Sequence, residues 1–348
     1  MSLSPVKLDF LRSLTDDTGL LQHAKFATPK RQEGYTTDDN SRALIACIKY
    51  CRIFGMHSDS EIARLIDIYL SFLLHMQEAN GIWHNLLSYN RQFADEKGSE
   101  DSMGRALWAC GCAMNSSLPV EKRMLSKEIF DRGFLWAPSF KSLRSKAFAI
   151  MGLANYKKAY PDDPNIVQNI RVLVSHLLSN YKHESSTDWR WFEPYLTYVN
   201  GRLPQALFEA YEGTSNEKYL ETAKTSFDFL LEIHMIDDVF VPIGNKGWYK
   251  KREKRATYDQ QSVEAACMVE AAIAAFRSTG EREYLKIAGK VFAWFLGKNL
   301  QCVKVYNPKT GGCYDGITPE GLNLNQGAEA TVSYLAARLD LESAKSLL

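Results

Sequence analysis

No apolar run in the sequence reaches the roughly 18 residues needed to cross a bilayer, so a membrane-spanning chain is not expected. Excess charge of either sign is missing too. The 42 Lys and Arg residues face 41 Asp and Glu, a formal net charge of +1, so no overall field favours nucleic acid or an anionic membrane as partner. Cysteine is sparse and odd in number, seven in 348 residues, which suits reduced thiols better than a disulfide framework. Cys47 and Cys51, like Cys110 and Cys112, sit in helical patterns among Ala, Ile, Leu and Trp, and are expected to be buried thiols rather than metal ligands. The opening segment lacks the charged-then-apolar design of a signal peptide, which together with reduced thiols gives a cytoplasmic expectation. No GxGxxG, P-loop or HExxH occurs, so no cofactor or metal is expected. No Pro/Gly/Ser linker divides the chain, and one domain over residues 1–348 is expected.

What the sequence does contain is an internal repeat. A small-residue helix recurs six times, at Asn40–Cys47, Met103–Cys110, Leu143–Ile150, Arg202–Glu209, Gln261–Met268 and Gly327–Tyr334. The intervals are too irregular for a solenoid but suit helical hairpins with variable loops. Between them lie bulkier amphipathic segments, Glu61 to Met76, Glu121 to Phe134, Ile166 to Leu178, Glu217 to His234 and Glu283 to Leu296. Ala-rich helices around an axis, wrapped by amphipathic ones, make an all-α (α/α)6 toroid. Val239–Ile243 and Cys302–Tyr306 would be loop hairpins at most.

The residues preceding the inner helices carry the chemistry. In a closed ring of hairpins all inner helices point one way, so these segments converge on one mouth, and they are acidic and aromatic. They bring Asp38 and Asp39, Glu100 and Asp101, Asp188, Glu193, Tyr195 and Asn200, Tyr258 and Asp259, Asp315, and Gln326 with Glu329 behind it. Capping of free backbone amides is the alternative account of each acid. Capping does not explain doubled carboxylates, which cannot both ionise cheaply and so supply a route to a protonated general acid. Five of the seven tryptophans, Trp83, Trp136, Trp189, Trp191 and Trp248, fall in loops or loop edges, where an indole beside carboxylates suits the apolar face of a sugar; loop-packing anchors are the competing account. His84, beside Trp83, could serve the pocket or the core, and the basic run Lys250–Arg255 could be a solvated loop or steer an anionic sugar.

Six Ala-rich inner helices with acidic loops resemble the six-hairpin glycosidase superfamily. More narrowly, the stretches Gly34–Leu44, Leu87–Asn90 followed by Gly98–Asp101 and Gly104–Trp108, and Trp191–Tyr198 with Arg202–Pro204 resemble bacterial proteins encoded beside, or fused to, glycosyltransferases. The resemblance implies an oligosaccharide substrate bound at the N-terminal ends of the inner helices, catalytic carboxylates there, inversion, and a glycosyltransferase partner. The expected function is a metal-independent glycoside hydrolase, with a non-catalytic glycan-binding or scaffolding module as the alternative and a sugar epimerase as a third reading. Asp39, Asp101, Glu193 and Asp259 are the candidate catalytic residues. Asp38, Trp83, Tyr89, Glu100, Asp188, Trp189, Trp191, Tyr195, Asn200, Arg202, Tyr258, Asp315 and Gln326 are the candidate substrate-binding residues.

Overall fold

A computed structural model describes residues 4–345. In chain order its helices are α1 (Asp9–Leu14), α2 (Thr37–Phe54), α3 (Ile62–Met76), α4 (Glu100–Met114), α5 (Val120–Phe134), α6 (Leu143–Ala159), α7 (Pro164–Glu184), α8 (Arg202–Thr214), α9 (Glu217–His234), α10 (Ser262–Thr279), α11 (Glu283–Phe292) and α12 (Ala328–Lys345). The six Ala-rich repeats form the even-numbered helices, and these pack side by side in a ring in which α12 returns to α2. The odd-numbered helices α3 to α9 and α11 lie outside, each against its preceding or following inner helix. The sequence pattern does not announce the sixth outer element, α1. It is six residues long, with Phe10, Leu11 and Leu14 buried against α12, too short for a helical period to register.

The ring is tight because its facing residues are small. At the seam between α4 and α6 the backbones meet through glycines: a Cβ on Gly111 would lie 2.4 Å from the Gly152 carbonyl oxygen, and one on Gly104 would lie 2.7 Å from the Ser145 carbonyl oxygen. Helices α2, α4 and α6 begin at hydroxyl caps, with Thr36, Ser99 and Ser142 accepting from the amides of Asp39, Ser102 and Ser145. The doubled acids beside them are therefore not needed as N-caps of their own helices. Short antiparallel strands brace the loops at this end, pairing Tyr35–Thr36 with Leu86–Leu87, Tyr195–Leu196 with Tyr249–Lys250, and Gly316–Thr318 with both Gln260–Gln261 and Gly321–Asn323.

Apolar side chains from Leu8 to Ala344 form one continuous buried cluster. Cys47, Cys51, Cys110 and Cys112 lie in it as free thiols. Val239–Phe240 pairs with Met235–Ile236, and Tyr306 makes a single bridge to Cys313. Among the described residues no helix is long and apolar enough to cross a membrane.

Candidate active site

The inner helices share a direction, so the N-termini of α2, α4, α6, α10 and α12 face one mouth. A cavity of about 470 Å³ there is lined by Asp38, Asp39, Arg42, Asp259, Asp315 and Glu329 among others. An adjoining hollow shares Asp38, Arg42 and Glu329 with it and adds Glu100, Asp101, Arg105, Ser142 and Tyr198. Two guanidinium groups organise the acids. Arg42 lies 2.8 Å from Asp39 and 2.9 Å from Glu329, and Arg105 lies 3.0 Å from Asp38 and 3.8 Å from Asp101.

Asp39 in the cavity and Asp101 in the adjoining hollow have their carboxyls displaced in opposite directions. Burial pushes the Asp39 carboxyl up to about 6; Arg42 opposes this, while Glu329 and Asp38 add to it. Burial also opposes ionisation of Asp101, but the Arg105 guanidinium and the hydroxyls of Ser145, Tyr198 and Ser142 outweigh it and hold this carboxyl below the usual range. Those hydroxyls donate at 2.6, 2.8 and 3.0 Å respectively. Asp101 thus has an ordered set of partners, whereas Asp39 keeps a side chain only 9% exposed with a single ion pair to Arg42 and a hydroxyl from Thr36.

Solved structures with this architecture are similar over nearly the whole chain. A sugar epimerase from a ruminal bacterium matches with TM-score 0.74 at 12% identity, over 99% of this chain and 97% of that one. A cellobiose 2-epimerase from Bacillus thermoamylovorans matches with TM-score 0.73 at 12% identity, over 97% and 96%. An α-mannanase of glycoside hydrolase family 76 from Bacteroides thetaiotaomicron matches with TM-score 0.69 at 12% identity, over 97% and 93%. The chain has the six-hairpin (α/α)6 toroid fold. No protein-family model matches the sequence, and no curated protein is significantly similar to it.

The six-hairpin mouth brings together some of the residues expected there and leaves others out. Asp38, Asp39, Glu100, Asp101, Asp259 and Asp315 line it. Asp259 pairs with Lys246 at 3.1 Å and keeps its Oδ1 buried with no partner among the described residues. Asp315 accepts from the Gly327 amide, and burial raises its carboxyl. Glu100 accepts from the amides of Lys141 and Ser142, so it braces the start of α6. Glu193 does not line the cavity: it binds Arg144 at 2.7 Å, and Arg144 also donates to Asn200 and to the Tyr198 carbonyl, which makes the group a clamp on the loop carrying Tyr198.

The expectation that loop tryptophans stack on sugar does not hold for three of them. Trp83, Trp189 and Trp191 are all buried; Trp83 donates to the Leu73 carbonyl, Trp189 to the Glu193 carbonyl, and Trp191 packs on Phe192. Loops at the mouth have a small core of their own, and indoles fill it. Asn200 and Gln326 are likewise buried and bonded within the protein, to Thr197 and Thr310. Arg202 lies deeper in the ring, over the Trp108 ring and paired with Glu270. Asp188 is exposed and holds a turn through Ser186. Tyr89 and Tyr195 are exposed outside the lining, Tyr89 against Tyr35, and Tyr258 packs partly buried against the core. His84 stacks on Phe93 between Glu78 and Asp95. In the basic run, Lys251 and Arg255 donate to the carbonyls of Glu184, Ile233 and Val241, tethering loops rather than facing the cavity.

Arg42, Arg105, Tyr198 and Ser145 contact the acids of the mouth and were passed over by residue-type reasoning. A signal for the two arginines does exist. Each directly precedes the repeat alanine, Ala43 and Ala106, so both stand one helical turn inside the mouth.

Proposed function

We propose that this chain is a metal-independent glycoside hydrolase that cleaves an oligosaccharide at the acidic mouth of the toroid, with Asp39 as general acid and Asp101 as general base. The observation that carries this reading is the placement of two buried acids at one mouth, Asp39 in the larger cavity and Asp101 in the hollow adjoining it, and the opposite displacement of their carboxyls suits one to give a proton and the other to take one. Asp39 gives its proton to the glycosidic oxygen as the bond to the anomeric carbon breaks. Asp101 takes a proton from the water that attacks that carbon from the other face, and the two residues exchange protonation states before the next turnover. Glu329 and Arg42 flank the leaving group's side, and Asp259, with its unpaired oxygen, suits a sugar hydroxyl.

An oligosaccharide substrate also agrees with what the similar structures are named for, which includes mannan and cellobiose chemistry. The resemblance to proteins encoded with glycosyltransferases makes a glycosyltransferase the partner we propose. A histidine-based epimerase finds less support, because His23 is the one histidine lining the cavity among the described residues. The test is release of reducing sugar from mannose- and glucose-containing oligosaccharides by wild type, Asp39→Asn and Asp101→Asn. Loss of activity in both folded variants is expected. Wild type that cleaves nothing, while its tryptophan fluorescence shifts with one glycan, would replace hydrolysis by the glycan-binding module.

A further inference from the structure

The end of the toroid opposite the acidic mouth is also hollow. All six inner helices contribute to an axial cavity of about 320 Å³, mostly from their C-terminal halves, within the size range of small-ligand sites. Its lining includes Trp108 and the polar groups of Asn115, Asn155, Gln205 and Glu209. A second, more open hollow shares Ile48, Arg52, Asn115 and Lys158 with it, so the two are continuous, and it adds Arg123, Ser116 and Ser117 with no carboxylate in its lining.

Cations at helix C-termini are ordinarily explained by the helix dipole. That covers Arg52, Lys158 and Arg277, which stand in the last turns of α2, α6 and α10. It does not cover Arg123, which stands in the first turn of α5, where a cation opposes the dipole. Among the described residues, the Nε of Arg123 is buried with no hydrogen-bond partner, and no carboxylate lies within ion-pair distance of Arg52, Arg123 or Arg277. Lys158 is paired, with Glu212 at 2.8 Å, and Arg52 makes one bond, to the Asn115 carbonyl. Guanidinium groups with unused donors around a carboxylate-free hollow suit a dianion with several acceptor oxygens.

The adjoining axial cavity has a different character. Glu209 accepts one hydrogen bond there, from the Gln205 side-chain amide at 2.9 Å, and burial raises its carboxyl, so it can serve hydroxyl groups as donor or acceptor. Asn155 and Asn115 add amides, and the Trp108 ring closes the floor with Arg202 over its face. We propose that this end of the toroid is a second binding site, separate from the acidic mouth, for a phosphorylated monosaccharide. Its phosphate lies against Arg52, Arg123 and Lys158, and its ring hydroxyls face Glu209 and Asn155.

The experiment is isothermal titration of the full chain with a hexose 6-phosphate, with inorganic phosphate and with the unphosphorylated hexose, repeated on the double variant Arg52→Ala/Arg123→Ala and on Asp39→Asn. Hexose phosphate is expected to bind wild type and Asp39→Asn equally, and the double variant at least about tenfold more weakly, since each removed guanidinium contributes a charge-assisted bond. Inorganic phosphate is expected to bind about tenfold more weakly than the ester, and the free hexose more weakly still. Circular dichroism checks that the double variant folds, and a single Arg123→Ala, which removes no bond seen in the protein, repeats the test if it does not. Absence of hexose phosphate binding, or binding indifferent to the arginines, overturns the site. Equal affinity for phosphate and its ester overturns the assignment of a sugar to the axial cavity.

Discussion

Replacing Tyr198 by Phe removes one atom from the proposed acid–base pair and leaves the surrounding structure in place. The hydroxyl donates to Asp101 Oδ2 at 2.8 Å, while the ring, which packs under Arg144 at 4.9 Å, is retained. Burial and the Asp101 charge push the Tyr198 phenol well up, so it is a donor throughout the working range. A hydrogen bond to a charged group contributes about 1.5–3 kcal/mol. Tyr198 is 36% exposed, so water replaces part of that bond and about 1 kcal/mol is lost. At about 1.4 kcal/mol per pH unit, the Asp101 carboxyl rises by rather less than one unit. The assay is kcat/KM against pH on the oligosaccharide that wild type cleaves. The proposed mechanism requires Asp101 ionised and Asp39 protonated, so it gives the acid limb to Asp101 and an alkaline limb that falls as pH rises through about 6. Tyr198→Phe should move the acid limb upward and leave the alkaline limb where it was, narrowing the bell. An unmoved acid limb, or a shift of the alkaline limb instead, would refute the assignment of base and acid.

Three further substitutions test the frame that holds this pair. Asp39 carries a native value above its unfolded one, so its contribution to stability is complete below about pH 4 and is lost as pH rises through about 6. Asp39→Asn should therefore raise stability at pH 7.5, by up to about 3 kcal/mol, and change little at pH 4, which urea unfolding at the two pH values will show. Gly111→Ala places a methyl against the Gly152 carbonyl and should cost about 1–3 kcal/mol despite the better helix propensity of alanine, read as a lower urea midpoint. Glu270 is buried between Lys49 and Arg202, whose charges outweigh its burial and keep it ionised, so Glu270→Gln leaves those cations short of an anion and should cost about 3–5 kcal/mol in the same measurement.

The ring was legible because its cause is periodic. Alanines such as Ala43, Ala106 and Ala147 recur at the start of every inner helix and are all fully buried there. The acids of the mouth were legible for a related reason: Asp38 and Asp101 each stand five residues before the repeat alanine, with Asp39 next to the first of them, so a shared location follows from the ring itself. The tryptophans misled because position in a loop says nothing about which way a loop faces. Trp83 fits against Gly133 so closely that a Cβ there would strike its ring, a contact 50 residues distant that no local pattern records. Arg144 was hidden likewise, since its role depends on Glu193, Asn200 and Tyr198 arriving from the next hairpin.

The glycine seam between α4 and α6 reaches beyond packing. Gly104 faces the Ser145 backbone, and the Ser145 hydroxyl is the shortest of the three hydroxyl donors to Asp101. A carboxylate is only as strong an anion as its donors are near, so the width of the seam sets how readily Asp101 gives up its proton. A side chain at residue 104 would lie outside the cavity, yet it would wedge two helices apart and detune the proposed base three residues earlier in the chain. The acidity of the site is in that sense written in the spacing of its backbone, at a position where the protein keeps no side chain at all.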